Sequence, residues 1–324
     1  MSTPKIYITD CDHANINEES AVFEKAGIAY ELVQCHTEDD LIAKLQDATA
    51  VCNQYAPFTE KVFAALPNLK MVVRYGVGVD NVDLAAATKH SVQVCNVPDY
   101  GTNEVADQAL ALLMEVVRRV GAANTDVHNG VWDYARYVPV RRLSTLTVGL
   151  VGLGRIGSAF AKRVHALGCP VLAYDIDYSH ADQAGDTTFV KRVGSLDELL
   201  ASSDVVSLHC GLDQNNAHFM NAANFAKMKQ GAFFINVSRG GLVNEADLAQ
   251  AAISGHLTAA GIDVTCREPL EAESPLRQAK NIVITPHMAW YSVEAASDLK
   301  RKCAEEAVRG ALGQAPRCPV NKLN

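Results

Sequence analysis

The sequence predicts an α/β protein built from two doubly wound parallel-sheet domains, and three observations carry that expectation. The chain has 324 residues, about twice what a single core of roughly 150 residues accommodates. Short β-branched runs alternate with helical patterns in two separate series, the signature of a parallel sheet covered on both faces. A Gly-x-Gly-x-x-Gly segment falls between the first strand and the first helix of the second series.

The first series opens with a strand at residues 5–9, followed by a helix over 18–26, a strand at 30–34, a helix over 37–47 and a strand at 50–54. A helix near 59–65 and strands at 71–74 and 92–95 complete it. A long, mostly apolar helical pattern then runs from about Thr102 to Val120, and the irregular stretch 129–139 reads as a boundary element. From Leu146 the second series begins, with strands at 147–151, 171–175, 205–209, 232–237, 260–264 and 282–285, and helices over 155–166, 196–201 and 245–254. The final helix, about 291–311, has no strand after it, so the chain is expected to cross back onto the first domain. The expected division is 1–98 plus 290–324 against 99–289.

Composition excludes several function classes. Hydrophobic residues make up 48% and charged residues 20%, and the formal charge is −8, with no basic stripe to neutralise phosphates and no interleaved aromatics to stack bases. Nucleic acid is therefore not an expected partner. An anionic substrate must be caught by a few local donors, since the overall field does not attract it. The nine cysteines are scattered and lack metal-ligand spacing, which reads as reduced core thiols with no metal site. The amino terminus shows no signal-peptide pattern, and no apolar run reaches a membrane-spanning length of about 18 residues. A cytoplasmic protein is expected.

In the segment Thr147 to Gly157, Gly152 is expected to make the tight turn, Gly154 to admit a pyrophosphate close to the backbone, and Gly157 to let helix pack on strand. Arg155 and Ile156 start a helix whose free N–H groups and positive dipole end favour phosphate. Asp175 ends the next strand, where a carboxylate accepts hydrogen bonds from ribose hydroxyls and repels a ribose phosphate. NAD is expected over NADP; the alternative is that Asp175 merely starts a turn with Asp177.

Arg239, Glu268 and His287 fall at or just past successive strand ends in the second series, the edge at which open α/β sheets bind ligands. Arg239 precedes Gly240 and Gly241, and its guanidinium suits a carboxylate and an adjacent keto oxygen. His287, after Pro286, suits proton donation to a forming alkoxide. Glu268 is the natural orienting carboxylate, whose charge favours the protonated donor. In the first series the loop Arg74-Tyr75-Gly76-Val77-Gly78 follows a strand, and backbone N–H groups near Val77 and Gly78 can form a small anion nest, with Arg74 adding charge. Each feature taken alone has a structural alternative: a glycine turn, a surface arginine, a core histidine, a solvated glutamate. The joint placement past strand ends argues for a site.

These residues resemble the D-isomer-specific 2-hydroxyacid dehydrogenases over essentially the whole chain. The likeness is carried by Gly-Leu-Gly-Arg-Ile-Gly at 152–157, Asn-Val-Ser-Arg-Gly-Gly-Leu-Val at 236–243, Asp263-Val264 ahead of Glu268, and Thr-Pro-His at 285–287. The resemblance implies a flavodoxin-like substrate domain and a Rossmann NAD-binding domain with a cleft between them. It implies an NAD-dependent enzyme that interconverts a small 2-keto acid, of the glyoxylate/hydroxypyruvate type or apolar, and its 2-hydroxy acid. Arg239 would bind and polarise substrate, with Glu268 and His287 as the proton relay. Asp263 and the Val237 backbone would contact the nicotinamide carboxamide and Thr102 a phosphate, with His209, Cys210, Gly211, Asn215 and Ser238 also along the cofactor. A homodimer joined through the helix at 102–120 and the arm around Trp132 is implied as well.

Within the family the sequence is most similar to the C-terminal-binding-protein branch, through Val-Ser-Leu-His-Cys-Gly-Leu, Met-Lys-Gln-Gly-Ala-Phe, Ala-Trp-Tyr-Ser and Val-Asn-Lys. That branch implies Trp290 against the substrate side chain and Arg74 near its carboxylate, an apolar wall suited to an extended or thioether-bearing acid. It also raises a different class of function, an NAD(H)-sensing scaffold or corepressor. The sequence lacks the extended tail of the animal members and the regulatory domain of long phosphoglycerate dehydrogenases, which favours a metabolic enzyme. D-3-phosphoglycerate or phosphite oxidation would need more basic residues than Arg74 and Arg239, unless arginines at 136–142 reach a partner's cleft. Formate dehydrogenases carry glutamine where Glu268 stands, which disfavours that reaction.

Overall fold

The computed structural model describes residues 3–179, 181 and 185–323. The chain forms two units: residues 1–101 with 292–324, and residues 102–291. In the first unit, strands β1 (Lys5–Ile8), β2 (Ala29–Leu32), β3 (Ala50–Asn53), β4 (Met71–Arg74) and β5 (Gln93–Cys95) form a parallel sheet in the order β2-β1-β3-β4-β5. Every residue of β3 is buried, which is why Ala50, Val51 and Cys52 form an unbroken apolar run rather than alternating with polar residues. Helices α1 (Asn17–Ala26), α2 (Glu38–Lys44), α3 (Glu60–Ala65) and α4 (Leu84–Lys89) connect the strands. Local chemistry sets their ends: Gly27 closes α1 in the left-handed region at φ +66°, and Thr37 with Asp40 makes a reciprocal capping box on α2.

The second unit begins with α5 (Thr102–Arg118) and α6 (Val120–His128). Its strands are β6 (Val148–Val151), β7 (Val171–Tyr174), β8 (Lys191–Arg192), β9 (Val205–Leu208), β10 (Ala232–Asn236), β11 (Leu257–Ile262) and β12 (Ile282–Ile284). They pair in parallel in the order β12-β11-β10-β9-β6-β7-β8, so that β6 lies inside the sheet between β9 and β7. Around them lie α7 (Arg155–Ala166), α8 (Leu196–Ser202), α9 (Ala222–Lys227) and α10 (Glu245–Ile253). The last helix, α11 (Val293–Ala311), packs against α1, β1, β3 and β4 of the first unit.

The structure departs from the sequence reading at several places. The helix expected over 102–120 stops at Arg118, because Arg119 takes a left-handed conformation at φ +57°. A second helix starts there, and the Glu115 carboxylate accepts the Gly121 N–H at 3.0 Å, satisfying one of its open donors. The short helices α4 and α9 lay outside the sequence reading, although Asp83 and Asn221 cap them through side-chain bonds to Ala86 and to Ala223 and Asn224. The chain also crosses between units a few residues later than expected: Asp99 is tied to the first unit by Lys302 and Arg317, both at 3.3 Å. Cys266 is exposed rather than a core thiol, while Cys35, Cys52, Cys95, Cys169 and Cys303 are buried. No helix among the described residues is long and apolar enough to cross a membrane.

The returning segment is pinned to β5 by the Val320 N–H, which donates to Val94 O at 2.8 Å, and by the Asn321 side chain. Asn321 Oδ1 accepts the Val94 N–H and the Gln93 amide, both at 2.7 Å, and its Nδ2 donates to Val92 O at 2.9 Å and Thr88 Oγ1 at 3.0 Å. Asn321 is buried, so Asn321→Ala leaves several polar groups without partners and should cost about 1–3 kcal/mol. Chemical denaturation read through the first unit checks this.

Candidate active site

The glycine loop between β6 and α7 has the geometry its sequence demands. Gly152 sits at φ +97°, and a Cβ there would lie 2.7 Å from the Cys210 nitrogen and the His209 carbonyl carbon. At Gly157 a Cβ would lie 2.3 Å from the Gly152 carbonyl oxygen, so only glycine allows helix and loop to approach this closely. Gly154 has open space above it, with nothing within 4 Å of a Cβ position. Arg155 and Ile156 open α7, which aims its N-terminal amides at that space. Asp175, directly after β7, accepts the Leu153 N–H at 2.6 Å and the Asp177 N–H at 3.0 Å. The carboxylate is thereby fixed at the loop's edge. An open glycine, a helix start and a placed carboxylate together fit a dinucleotide.

Neighbouring strand ends complete this edge. His209 follows β9; its Nε2 lies 2.9 Å from Ser207 Oγ, its ring packs on Phe160 at 5.1 Å, and burial pushes its pKa down to about 3. It is a neutral side chain beneath the glycine loop. Burial likewise pushes the Cys210 thiol up to about 11. The Ser238 hydroxyl donates to the Cys210 carbonyl, tying the end of β9 to the end of β10, and Val237 is buried beside it. Gly211 accepts from the Asn216 side chain at 2.8 Å, and the Asn215 N–H donates to Asp213 at 2.6 Å. Thr102 is the first residue of α5.

Glu268 and His287 meet directly. His287 Nδ1 lies 2.6 Å from Glu268 Oε2, and Glu268 Oε1 accepts the Thr265 N–H at 3.0 Å. Burial raises the Glu268 carboxyl, but the His287 and Thr265 hydrogen bonds and the Arg239 charge outweigh it and hold the group below its usual range. Arg239 follows β10 and donates from Nη1 to Ser238 O at 2.9 Å. Its backbone is set by Asn236, which donates to Arg239 O at 2.9 Å and accepts the Ser238 N–H at 3.0 Å. Both members of the pair are partly open to solvent, with the His287 side chain 44% and that of Glu268 38% exposed, so the pair can be reached by an incoming molecule. An orienting carboxylate on one nitrogen of a partly exposed imidazole is the arrangement of a proton donor.

Two features of this site were not legible in sequence. Gly240 leaves room for more than the Arg239 guanidinium: a Cβ there would lie 2.0 Å from the Thr265 carbonyl carbon and 2.4 Å from the Cys266 nitrogen, so the segments carrying Arg239 and Glu268 touch backbone to backbone. Asp263, expected to contact the cofactor, is buried and holds the histidine loop. Its Oδ1 accepts Thr285 Oγ1 at 2.5 Å and the Met288 N–H at 3.1 Å, and its Oδ2 accepts the Ala289 N–H at 2.8 Å. The same loop bends through His287 at φ +52°, a conformation disfavoured for a residue with a Cβ. Asp263→Asn would turn an amide donor toward these donors. The expected result is a loss of about 1–3 kcal/mol, read by thermal unfolding, together with a lower kcat.

The other expected residues divide between the units. Trp290, assigned from sequence to the first domain, lies in the second unit, half-buried and edge-on to Tyr291 at 5.5 Å. Arg74, Tyr75, Gly76, Val77 and Gly78 lie in the first unit, at and directly past the end of β4. Gly76 is at φ +132° and the Arg74 guanidinium folds over it, with Nη1 1.7 Å from where a Cβ would sit. Val77 is exposed, and its carbonyl accepts Asn96 Nδ2 at 2.6 Å. The Tyr75 side chain is turned away: it is buried and donates to Glu19 Oε1 at 2.9 Å. The Tyr75 backbone N–H is engaged as well, donating to Asn53 O at 2.9 Å. Among the described residues no group of three or more His, Cys, Asp or Glu side chains could hold a metal.

A family model for the D-isomer specific 2-hydroxyacid dehydrogenase NAD binding domain matches residues 110–289. A hydroxypyruvate reductase of Blautia hydrogenotrophica is 37% identical over 309 residues, spanning 92% of this chain and 91% of that protein. A D-3-phosphoglycerate dehydrogenase of Archaeoglobus fulgidus is 36% identical over 310 residues, 94% of this chain but 58% of that longer protein. Among solved structures, a protein from Thermus thermophilus superposes with a TM-score of 0.86 at 31% identity, covering 98% of this chain and 99% of its own.

Proposed function

Because the chain belongs to the D-isomer specific 2-hydroxyacid dehydrogenase family, we propose that Arg239, Glu268 and His287 are the groups with which it reduces a small 2-keto acid and oxidises the corresponding 2-hydroxy acid. The protein is an NAD-dependent oxidoreductase acting on CH–OH donors. When bound, the reduced nicotinamide supplies hydride to C2 of the keto acid. His287 Nε2 donates the proton to the alkoxide oxygen, and Glu268, 2.6 Å from the other ring nitrogen, fixes the tautomer and stabilises the charged ring. Arg239 grips the substrate carboxylate and polarises the carbonyl. In the first unit the Arg74–Gly78 loop offers donors suited to a carboxylate, and in the second unit Trp290 borders the substrate side chain. In the reverse direction the same imidazole accepts the hydroxyl proton.

The observation that carries this reading is the His287–Glu268 pair, with Arg239 close enough to depress the carboxylate. The likeness to a hydroxypyruvate reductase along nearly the whole of both chains weighs against a purely cofactor-sensing scaffold. Asp175 at the edge of the glycine loop supports NAD over NADP. A substrate of the hydroxypyruvate or glyoxylate kind is favoured over a phosphorylated one, because Arg74 and Arg239 are the basic groups with a claim on it.

The test is NADH and NADPH oxidation across a panel of glyoxylate, hydroxypyruvate, pyruvate, phenylpyruvate, 4-methylthio-2-oxobutyrate and 3-phosphohydroxypyruvate. Faster turnover with NADH, ranked toward the unphosphorylated acids, is the expected result. Preference for the phosphorylated acid would move the assignment to phosphoglycerate oxidation, and no turnover with tight NADH binding would favour the scaffold.

The assembly proposed is a cytoplasmic homodimer joined through the second unit, without nucleic acid. Its support is the apolar arm: α6 has no buried residue, and Trp132 and Tyr134 are 89% and 83% exposed, an apolar exposure that marks an interaction surface. Trp132→Asp with Tyr134→Asp should convert a dimer to a monomer in sedimentation velocity.

A further inference from the structure

Glu19 lies on α1 and is fully buried, although burial of a carboxylate is costly unless it is partnered. Burial raises its carboxyl above the usual range. Its Oε1 accepts the Tyr75 hydroxyl at 2.9 Å, and Lys300 of α11, also buried, brings its ammonium to 3.7 Å from Oε2. Lys300 is held in turn by Glu18 and by Asn15 Oδ1 at 3.2 Å. Phe23, one turn further along α1, fills its place in the core with an apolar ring, so packing alone does not call for a charge on this face.

Tyr75 is fixed at both ends. Its N–H donates to Asn53 O on the neighbouring strand at 2.9 Å, and its hydroxyl is held by Glu19. On either side of it in sequence stand Arg74 and Gly76, whose side chain and backbone are in contact over the same turn. An anchor on the Tyr75 ring therefore fixes the two peptide units that aim Arg74 and the following N–H groups, and small misplacements of binding groups carry large kinetic costs.

We propose that Glu19 is a positioning residue for substrate binding, acting through the Tyr75 hydroxyl to set the Arg74–Gly78 loop; the proposal rests on the 2-hydroxyacid dehydrogenase reading of that loop. The experiment is steady-state kinetics with NADH and the panel acid of highest kcat/KM, alongside NADH binding by fluorescence. Tyr75→Phe, which deletes one hydroxyl, and Glu19→Met, which deletes the acceptor, are each expected to raise KM about tenfold, the effect of a lost hydrogen bond to a charged group. The kcat value should stay within about twofold, and the NADH Kd should not change. The double variant should be no worse than the worse single one, because both remove the same contact. Glu19→Gln, which keeps an oxygen acceptor, should bring KM back at least about threefold relative to Glu19→Met.

An unchanged KM, a loss confined to kcat, or multiplied effects in the double variant overturns the proposal. If Glu19→Met does not fold, Tyr75→Phe decides it by the same KM criterion. A wild-type protein that reduces none of the acids overturns the dehydrogenase reading itself, and is distinguished by failing before any variant is compared.

Discussion

His287→Ala is expected to lower kcat for keto-acid reduction by about 10²–10⁴-fold, the usual worth of a positioned general acid, while NADH binds as before. The imidazole is held for this task from two directions, by Glu268 on Nδ1 and by backbone bonds from its own N–H to Asp263 O at 2.8 Å and Thr285 O at 3.0 Å. Removing the ring leaves Arg239 and the glycine loop in place, so the loss should appear in the chemical step and not in cofactor affinity. Single-turnover absorbance at 340 nm with saturating acid separates the two. Equal rates for wild type and variant would mean that the proton comes from elsewhere. Glu268 adds a pH dependence with a definite sign: its folded carboxyl is held low, so the orienting charge persists through the neutral range and is lost only as pH falls below about 4.5, the ordinary glutamate range.

Gly240→Ala should be nearly as damaging although it changes no group that touches substrate. The added methyl would stand 2.0–2.4 Å from three backbone atoms of Thr265 and Cys266, and backbone cannot swing aside as a side chain does. The 236–242 segment and the 264–268 segment must separate, which moves Arg239 away from Glu268. Expected are a fall of at least about 10²-fold in kcat/KM, the scale of a misplacement near 1 Å, and a drop in Tm. Gly241→Ala is the informative companion. Its methyl would meet the Leu212 side chain at 2.8 Å, which can rotate, so a much smaller effect is expected. Comparable losses at both positions would argue against the close approach as the cause.

The contrast between these glycines shows where sequence reading succeeds and where it stops. The strand and helix series, the glycine loop and the trio past the strand ends were legible because each is written in local periodicity or in a short spacing. The turn at Arg119 was not, because a non-glycine residue in the left-handed region carries no compositional mark and its compensation comes from Glu115. Helices α4 and α9 have a signal, Asp83 and Asn221 at their starts, but each is only six residues long and shows too few turns for a periodic pattern. The tasks of Asp263, Gly240 and Glu19 depend on partners 22 to 56 residues away, and a single sequence does not record such pairings. The same holds for the Tyr75 ring, which reads as a loop residue and proves to be core.

The first unit is assembled from two stretches of chain separated by the whole of the second unit, and this bears on how the protein is made. Chains emerge from the ribosome amino end first, and domains tend to fold as they appear. The nascent sheet of residues 5–95 cannot finish at that stage, because the face of β3 and β4 waits for α11: Cys303 lies against Val73 O at 3.7 Å, and Gly310 has no room for a Cβ beside Met71. The second unit, continuous from 102 to 291, can close while the first still exposes that apolar face. Translation that stops before residues 293–321 would thus yield a folded nucleotide-binding module with an unfinished partner attached, a species open to chaperones and proteases until those residues complete the first unit.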